Sequence, residues 1–217
     1  MTLELYGHPF SSYTWKAKIA LYENDTPFTF HDVGEANNGA ALARHWPPGK
    51  FPLLVTDDGP VMESSIVIEY LDRHYPGRTR FIPQDPDRAL EMRMLDRVFD
   101  DHVMTPVQAI VSEHLPFVTA TPDKQRIARA REALDKIYPW LERWLIGRKW
   151  ASDDFGLAEC AAAPALFYAD WVHRIPGEHA RLQDYRARLL ARPSVARCVE
   201  EARPYRHLFP LGAPDRD

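Results

Sequence analysis

The sequence predicts a small mixed α/β domain of order β-α-β-α-β-β-α, followed by an all-helical bundle. Three observations predict it. Strand and helix patterns alternate up to residue 78. The next stretch, "RTRFIPQDPDR", carries two prolines and no periodicity, as a linker does. From Ala89 onward the periodic segments have helical spacing and none reads as a strand. The expected division is an α/β domain over 1–78, a linker over 79–88 and a helical domain over 89–217.

Leu3 to Tyr6 is a short strand, stopped by Gly7-His8-Pro9. "SSYTWKAKIALYEN" then places Trp15, Ile19 and Tyr22 at helical spacing. "PFTFHDV" is a second strand. "NNGAALARHW" is a helix ended by Pro47-Pro48-Gly49, which cannot continue it. "FPLLVT" is a third strand, and "DDG" turns it into "PVM" as a hairpin. "ESSIVIEYLDRHYPG" closes the domain as a helix, with Ile66, Tyr70 and Leu71 expected on one side and Pro76-Gly77 past its end. The first two strands form a right-handed parallel unit and the last two an antiparallel pair.

In the second part, "DRALEMRMLDRVFDDHVMTPVQAIVSEHL" predicts one long helix. Leu95, Phe99, His102 and Val103 step along one face, and Pro106 is expected to kink it. A helix over "TPDKQRIARAREALDKIYPWLERWLIG" is expected to open with Thr121 as N-cap and Pro122 at its first position. "GLAECAAAPALFYADWVHR" is apolar nearly all round, hence central to the bundle. "EHARLQDYRARLLAR" and "PSVARCVEEAR" give two shorter helices, and the tail "PYRHLFPLGAPDRD" is irregular.

Composition excludes several function classes. The chain is 45% hydrophobic with a net charge of -4, and no Lys/Arg-rich tract points to nucleic acid. Cys160 and Cys198 belong to no CxxC or Cys/His cluster, which argues against a disulfide framework and against a zinc site. No apolar run approaches a membrane span, and "MTLELYG" has no leader-like pattern. The expectation is a soluble, cytoplasmic protein without a metal. Trp140, Trp144 and Trp171 read as core, Cys160 as an inert packed thiol, and His102 and His114 as surface or interface residues.

Three features of the first domain lie on loops that can converge at one sheet edge: Ser11-Ser12, Phe51-Pro52 and Glu63-Ser64. Each has an ordinary reading. Serine caps helices, proline sits trans at strand edges, and an acid favours a helix start. Each also has a chemical one. A helix-opening serine with free backbone N–H groups holds a carboxylate, and Glu63 accepts from an ammonium, so together they fit an α-amino acid head group. A cis bond before Pro52 would turn the Phe51 backbone outward, for an extended peptide to pair with. A hydroxyl at the opening of the first helix can solvate an anion. For a thiol of pKa about 8.5, a shift of about two units requires roughly 2.7 kcal/mol. A hydrogen bond to a charged acceptor supplies about 1.5–3 kcal/mol and the helix end about 0.3–1. No base or metal is then needed, and the serine is not itself the nucleophile. Phe10, just before it, borders the place where a reacting partner would sit.

"GHPFSSYTWKAKIAL", "PPGKFPLLVTDDGPVMESSIVIEYL" and "SDDFGLAECAAAP" resemble the cytosolic glutathione transferases, across essentially the whole chain. The first is similar to the serine-type classes, phi, zeta and tau. The resemblance implies a thioredoxin-like first domain that binds glutathione, and a helical domain that contributes the site for a small hydrophobic electrophile. Aligned on "KAKIAL", it makes Ser11 the catalytic serine, with Ser12 a neighbouring candidate. It places a cis-proline at Pro52, pairing with the cysteinyl unit at Phe51, the γ-glutamyl binders at Glu63 and Ser64, and a glycyl-carboxylate contact at Lys50. It implies conjugation in a detoxifying homodimer. A non-catalytic glutathione-binding scaffold and a glutathione-dependent isomerase or dehalogenase are alternatives on the same fold. The third motif departs from the family's Ser/Thr-x-x-Asp cap, with Gly156 at the cap and Glu159 at the acid. Phe51 departs from the usual Val or Ile.

Overall fold

The computed structural model describes residues 3–217. Met1 and Thr2, which the expected first domain includes, lie outside them. The first part holds β1 (Leu3–Gly7), α1 (Ser12–Glu23), β2 (Phe28–Asp32), α2 (Ala36–His45), β3 (Leu53–Thr56), β4 (Gly59–Met62) and α3 (Ser64–His74). The sheet order is β2-β1-β3-β4. β1 and β2 are parallel, while β3 is antiparallel to both β1 and β4. The β3–β4 turn is closed by Thr56, whose hydroxyl donates to the Gly59 carbonyl at 2.9 Å. Gly59 sits at φ 114, where only glycine is unstrained.

The second part holds α4 (Pro86–Arg97), α5 (Thr105–Ser112), α6 (Lys124–Trp144), α7 (Leu157–Val172), α8 (Ala180–Leu190) and α9 (Pro193–Ala202). A 3-10 turn, Arg203–Leu208, leads into the tail. Among the described residues no strand follows Met62. α4 begins inside the stretch read as linker, because Asp85 caps it by accepting from the N–H groups of Asp87 and Arg88 at 3.1 and 2.9 Å, with Pro86 in its first turn. Phe81, in the same stretch, is fully buried.

Three sequence expectations are corrected. The long helix is not a kinked α-helix. A π-helical segment, Val98–Met104, joins α4 to α5. The Thr105 N–H reaches the Asp100 carbonyl, five residues back, and Pro106 then lies in the first turn of α5, where it has no N–H to spare. His102 is exposed on that segment, while Leu95, Phe99 and Val103 are buried. The cap of α6 is Asp123, not Thr121: its carboxylate accepts from Gln125 and Arg126 N–H at 2.8 and 3.2 Å. On α3 the buried stripe is Val67, Ile68 and Leu71, and Ile66 is 53% exposed.

One hydrophobic cluster runs through both parts, from Leu5, Trp15 and Leu54 to Leu166 and Tyr185. A small second cluster, Tyr6, Leu42 and Leu53, lies under α2. α7 is buried on almost every residue, as its composition predicts, and Cys160 lies inside it. Trp140, Trp144 and Trp171 are half-buried, packed against the edge of the large cluster. α1 is buried nearly all round too, since it packs on α3 on one side and on α7 and α9 on the other. That position carries the opening of α1 into the cleft between the two parts.

Candidate functional site

The loop ahead of α1 is fixed by a complete set of bonds. Gly7 is required because a Cβ there would lie 2.6–2.7 Å from the Thr14 side chain. The Thr14 hydroxyl accepts from the His8 N–H at 3.3 Å. The Trp15 indole donates to the Pro9 carbonyl at 2.7 Å, and the Tyr168 hydroxyl donates to the Phe10 carbonyl at 2.8 Å. His8 Nδ1 accepts from the Phe10 N–H at 3.1 Å, so the ring is neutral, with its proton on Nε2, and burial lowers its pKa. Ser11 donates its N–H to the His8 carbonyl at 3.0 Å.

Ser11 is the N-cap of α1, and its hydroxyl oxygen accepts from the Thr14 N–H at 3.3 Å. Capping uses a lone pair and leaves the hydroxyl proton free to donate elsewhere. Capping and anion solvation are therefore compatible in one side chain. Ser11 is half-buried; Ser12, the first residue of the helix, is buried.

Two cavities meet beside this loop. The first, of about 710 Å³, is lined by Lys50, Phe51, Pro52, Glu63 and Ser64, with the walls of α4 and the π segment opposite. The second, of about 500 Å³, is lined by Phe10, Ser11 and Ser12, by Met104, Val107 and Val111 of the helical part, and by the tail residues Leu208–Pro210. Lys50 and Phe51 line both, together with Tyr13 and Gln108. All seven residues singled out by the sequence thus border one joined space: Phe10, Ser11, Lys50, Phe51, Pro52, Glu63 and Ser64.

The Phe51–Pro52 peptide is cis, and the β3 ladder begins only at Leu53, so Phe51 stays outside the sheet. Glu63 holds φ 66, a left-handed conformation that costs a non-glycine residue about 1–3 kcal/mol. It points α3 at the first cavity with the first N–H groups of that helix unspent. Much of the charge there is internally matched. Arg93 binds Glu69 through two 2.8 Å bonds. Buried Lys16 holds Asp96 at 2.8 Å and Asp100 at 2.6 Å, and Arg97 covers the same two carboxylates. Glu63, Asp101 and Lys50 make no ion pair among the described residues, so one cation and two carboxylates are available to a ligand. The second cavity is mainly apolar, and Lys50 is its one charged lining residue of fixed sign.

Two chain segments match family models: residues 5–79 match the N-terminal domain of glutathione S-transferase, and residues 99–193 match its C-terminal domain. The chain belongs to the glutathione S-transferase family. It is 26% identical over 199 residues to the "Uncharacterized GST-like protein YibF" of Escherichia coli, covering 90% of this chain and 97% of that one. It is 26% identical over 215 residues to a Vibrio cholerae protein named "Probable maleylacetoacetate isomerase", covering 94% and 98%. Among solved structures, a glutathione S-transferase of Methylobacterium radiotolerans in complex with glutathione sulfonate superposes with a TM-score of 0.76 at 28% identity, covering 92% of this chain and 95% of that one. The thioredoxin-like domain followed by a helical domain is the fold of this family.

Sequence reasoning missed several residues of the joined space. Tyr13 lies two residues past Ser11 on the helix already singled out, so its proximity was a usable signal. Tyr168 lies on a helix whose apolar pattern reads only as core, and its ring meets Phe10 edge-on at 5.5 Å. Phe209 packs on Phe10 at 6.3 Å and on Trp171 at 5.1 Å. Its apolar run in the tail, "HLFPL", was the only trace of that wall. Among the described residues no group of three or more His, Cys, Asp or Glu is placed to hold a metal ion, and no helix is long and apolar enough to cross a membrane.

Proposed function

We propose that the chain is a glutathione transferase of the serine type, which joins the sulfur of glutathione to a small hydrophobic electrophile. The observation that carries this reading is Ser11. Its spare hydroxyl proton sits on a rigid loop in the wall of the apolar cavity, which shares Lys50 and Phe51 with the charged one. The Methylobacterium relative, crystallised with glutathione sulfonate, supports glutathione as the occupant of the charged cavity. In this reading Glu63 accepts from the γ-glutamyl ammonium, and Ser64 with the opening of α3 receives its carboxylate. The backbone of Phe51 pairs with the cysteinyl unit beside cis-Pro52. Lys50 holds the glycyl carboxylate. Ser11 donates to the sulfur, and the electrophile lies against Phe10 and the helical wall of the second cavity. The proton leaves to solvent, the thiolate attacks, and no base is required.

The active unit is proposed to be a cytoplasmic homodimer of two-domain subunits, divided at about residue 78. In this reading the pairing covers exposed apolar side chains on α3 and α4, Ile66 and Leu90. Sedimentation at the mass of a single 25.0 kDa chain would remove that part of the reading.

The test is a titration of bound glutathione by thiolate absorbance, with wild type and Ser11→Ala compared, alongside conjugation of a benzyl halide. Wild type is expected to ionise the thiol about two units below its solution value, and Ser11→Ala to return most of that shift and lose about 10- to 100-fold in kcat/KM. Tight glutathione binding with no turnover on a panel of electrophiles would support a scaffold instead. The Vibrio relative's name favours a second reading, a glutathione-dependent isomerase. An assay that follows product without loss of free thiol separates it from conjugation.

A further inference from the structure

Three groups of His8 shape the loop that presents Ser11. Its N–H donates to the Thr14 hydroxyl at 3.3 Å, its carbonyl accepts the Ser11 N–H at 3.0 Å, and its ring Nδ1 accepts the Phe10 N–H at 3.1 Å. The first two bonds are indifferent to pH. The third exists only while the ring is neutral, because an imidazolium carries a proton on Nδ1 and two donors would then face each other. Phe10 immediately precedes Ser11, and its carbonyl is already held by Tyr168. The Phe10 N–H is therefore where the protonation of one side chain reaches the backbone that leads into Ser11.

The ring is covered from outside the loop. Tyr205, on the 3-10 turn ahead of the tail, meets it edge-on at 5.0 Å. The Tyr205 hydroxyl is anchored in turn: it donates at 2.8 Å to Asp32 Oδ2 at the end of β2, while Asp32 Oδ1 accepts the Gly34 N–H at 2.9 Å. Around His8 stand the Asp32 carboxylate from β2, the Tyr205 phenol from the 3-10 turn and the Thr14 hydroxyl from α1, and Lys50 lines the same cavity. Burial lowers the His8 pKa and outweighs Asp32, which favours the imidazolium.

We propose that His8 is a positioning residue for Ser11: its neutral imidazole, covered by Tyr205, fixes the Phe10 backbone and so aims the Ser11 hydroxyl at the sulfur. The inference rests on the transferase reading above and gives neither His8 nor Tyr205 a contact with glutathione. Protonating His8 releases the Phe10 N–H, loosens Ser11 and returns the bound thiol toward its solution pKa. The sign is diagnostic. A cation near a thiolate would by its charge alone lower the thiol pKa, whereas losing the aim of Ser11 raises it.

The experiment titrates bound glutathione by thiolate absorbance in wild type, His8→Phe, His8→Asn, Tyr205→Ala and the double variant Tyr205→Ala/His8→Asn, with circular dichroism to show that each is folded. His8→Phe keeps a ring and removes the acceptor. Its bound thiol is expected to ionise about one pH unit higher, and kcat/KM on a benzyl halide to fall about tenfold. His8→Asn, whose Oδ1 can accept in place of Nδ1, restores most of both, which a role in packing alone would not. Tyr205→Ala uncovers the ring, so the thiol midpoint rises by up to about half a pH unit. In the double variant nothing at position 8 titrates, and the midpoint stays at that of His8→Asn. The Tyr205 pair decides the matter if His8→Phe does not fold. A thiol pKa unchanged in His8→Phe, a midpoint that is unmoved or falls in Tyr205→Ala, or an equal rise with and without His8 overturns the proposal and leaves the transferase reading intact. Wild type whose bound thiol ionises as it does free in solution overturns the transferase reading and this proposal with it.

Discussion

Replacing Gly156 by Ser would give this chain the serine cap that its family carries ahead of α7, and the structure predicts that the change destabilises it. Two effects compete. A serine hydroxyl could cap the helix, worth a few tenths of a kcal/mol over glycine. Against that, a Cβ at Gly156 would lie 2.8 Å from the Phe81 carbonyl oxygen and 3.1 Å from Met92 Sδ, and closer still to Met92 Cε. The methionine end can swing away. The carbonyl is less free, because it accepts the Leu157 N–H at 3.1 Å. Its segment is also tied down by Asp72, which accepts from the Phe81 N–H at 2.7 Å. Overpacking of this kind costs about 1–3 kcal/mol. The cap also has less to add, since Glu159 already reaches back to the Gly156 N–H at 2.9 Å. The net expectation is a loss of about 1–2 kcal/mol. At 2–4 °C per kcal/mol for a chain of this size, the melting temperature falls by about 2–8 °C in a calorimetric or circular dichroism melt. A Gly156→Ser protein that melts higher than wild type would show that the Phe81 carbonyl gives way freely, and would refute the reasoning.

Two further outcomes are expected. The Glu159 carboxyl is fully buried, and burial pushes it up to about 7, against donors from Gly156, Ala151 and Tyr185. A folded pKa above the unfolded one means stability that is whole below about 4.5 and is lost as pH rises through about 7. The stability gap between wild type and Glu159→Gln, read from melts at pH 5 and pH 8, should therefore shrink at the higher pH; a gap that widens would mean a carboxylate held charged throughout. Lys16→Met should cost at most about 3–5 kcal/mol in denaturant unfolding, because it leaves Asp96 and Asp100, whose side chains are 3% and 7% exposed, with Arg97 as the one cation on both carboxylates among the described residues. Adding Asp100→Asn to that variant should recover part of the loss, and a double variant no better than the single one would count against the pairing.

The parts of the molecule legible from sequence are those in which one element reports its own surroundings. Short strand-like runs bounded by turn signals mark β1 and β3, "DDG" marks the β3–β4 hairpin, and the all-round apolar composition of α7 marks its central place. The charged cavity was legible for a related reason. Phe51 and Glu63 each precede or begin an element at the same edge of one small sheet, and Ser11, on the neighbouring wall, opens a helix at that edge too, so topology alone brings them together. The second cavity has no such signature. Its walls come from α1, the π segment, α5, α7 and the tail, and the bond from Tyr168 to Phe10 spans 158 residues. The π segment was illegible because a π-helix leaves nearly the same apolar spacing as an α-helix over seven residues, and Pro106 alone reads as a kink.

α1 shows what such patterns conceal. Lys16 and Glu23 on one face of this helix, and Lys18 on nearly the opposite one, are residue types expected in water, yet all three are buried. Each is matched from the helical part: Lys16 by Asp96 and Asp100, Lys18 by Glu201, and Glu23 by Arg192 at 2.5 Å and by Ser194. Apolar burial would hold α1 against α7 in many rotations, since it is non-directional. Three charges that are costly to bury unpaired admit few. The same rotation that satisfies them turns Ser11 toward the cleft, so ion pairs between α1 and the helical part fix where the hydroxyl of the proposed chemistry stands.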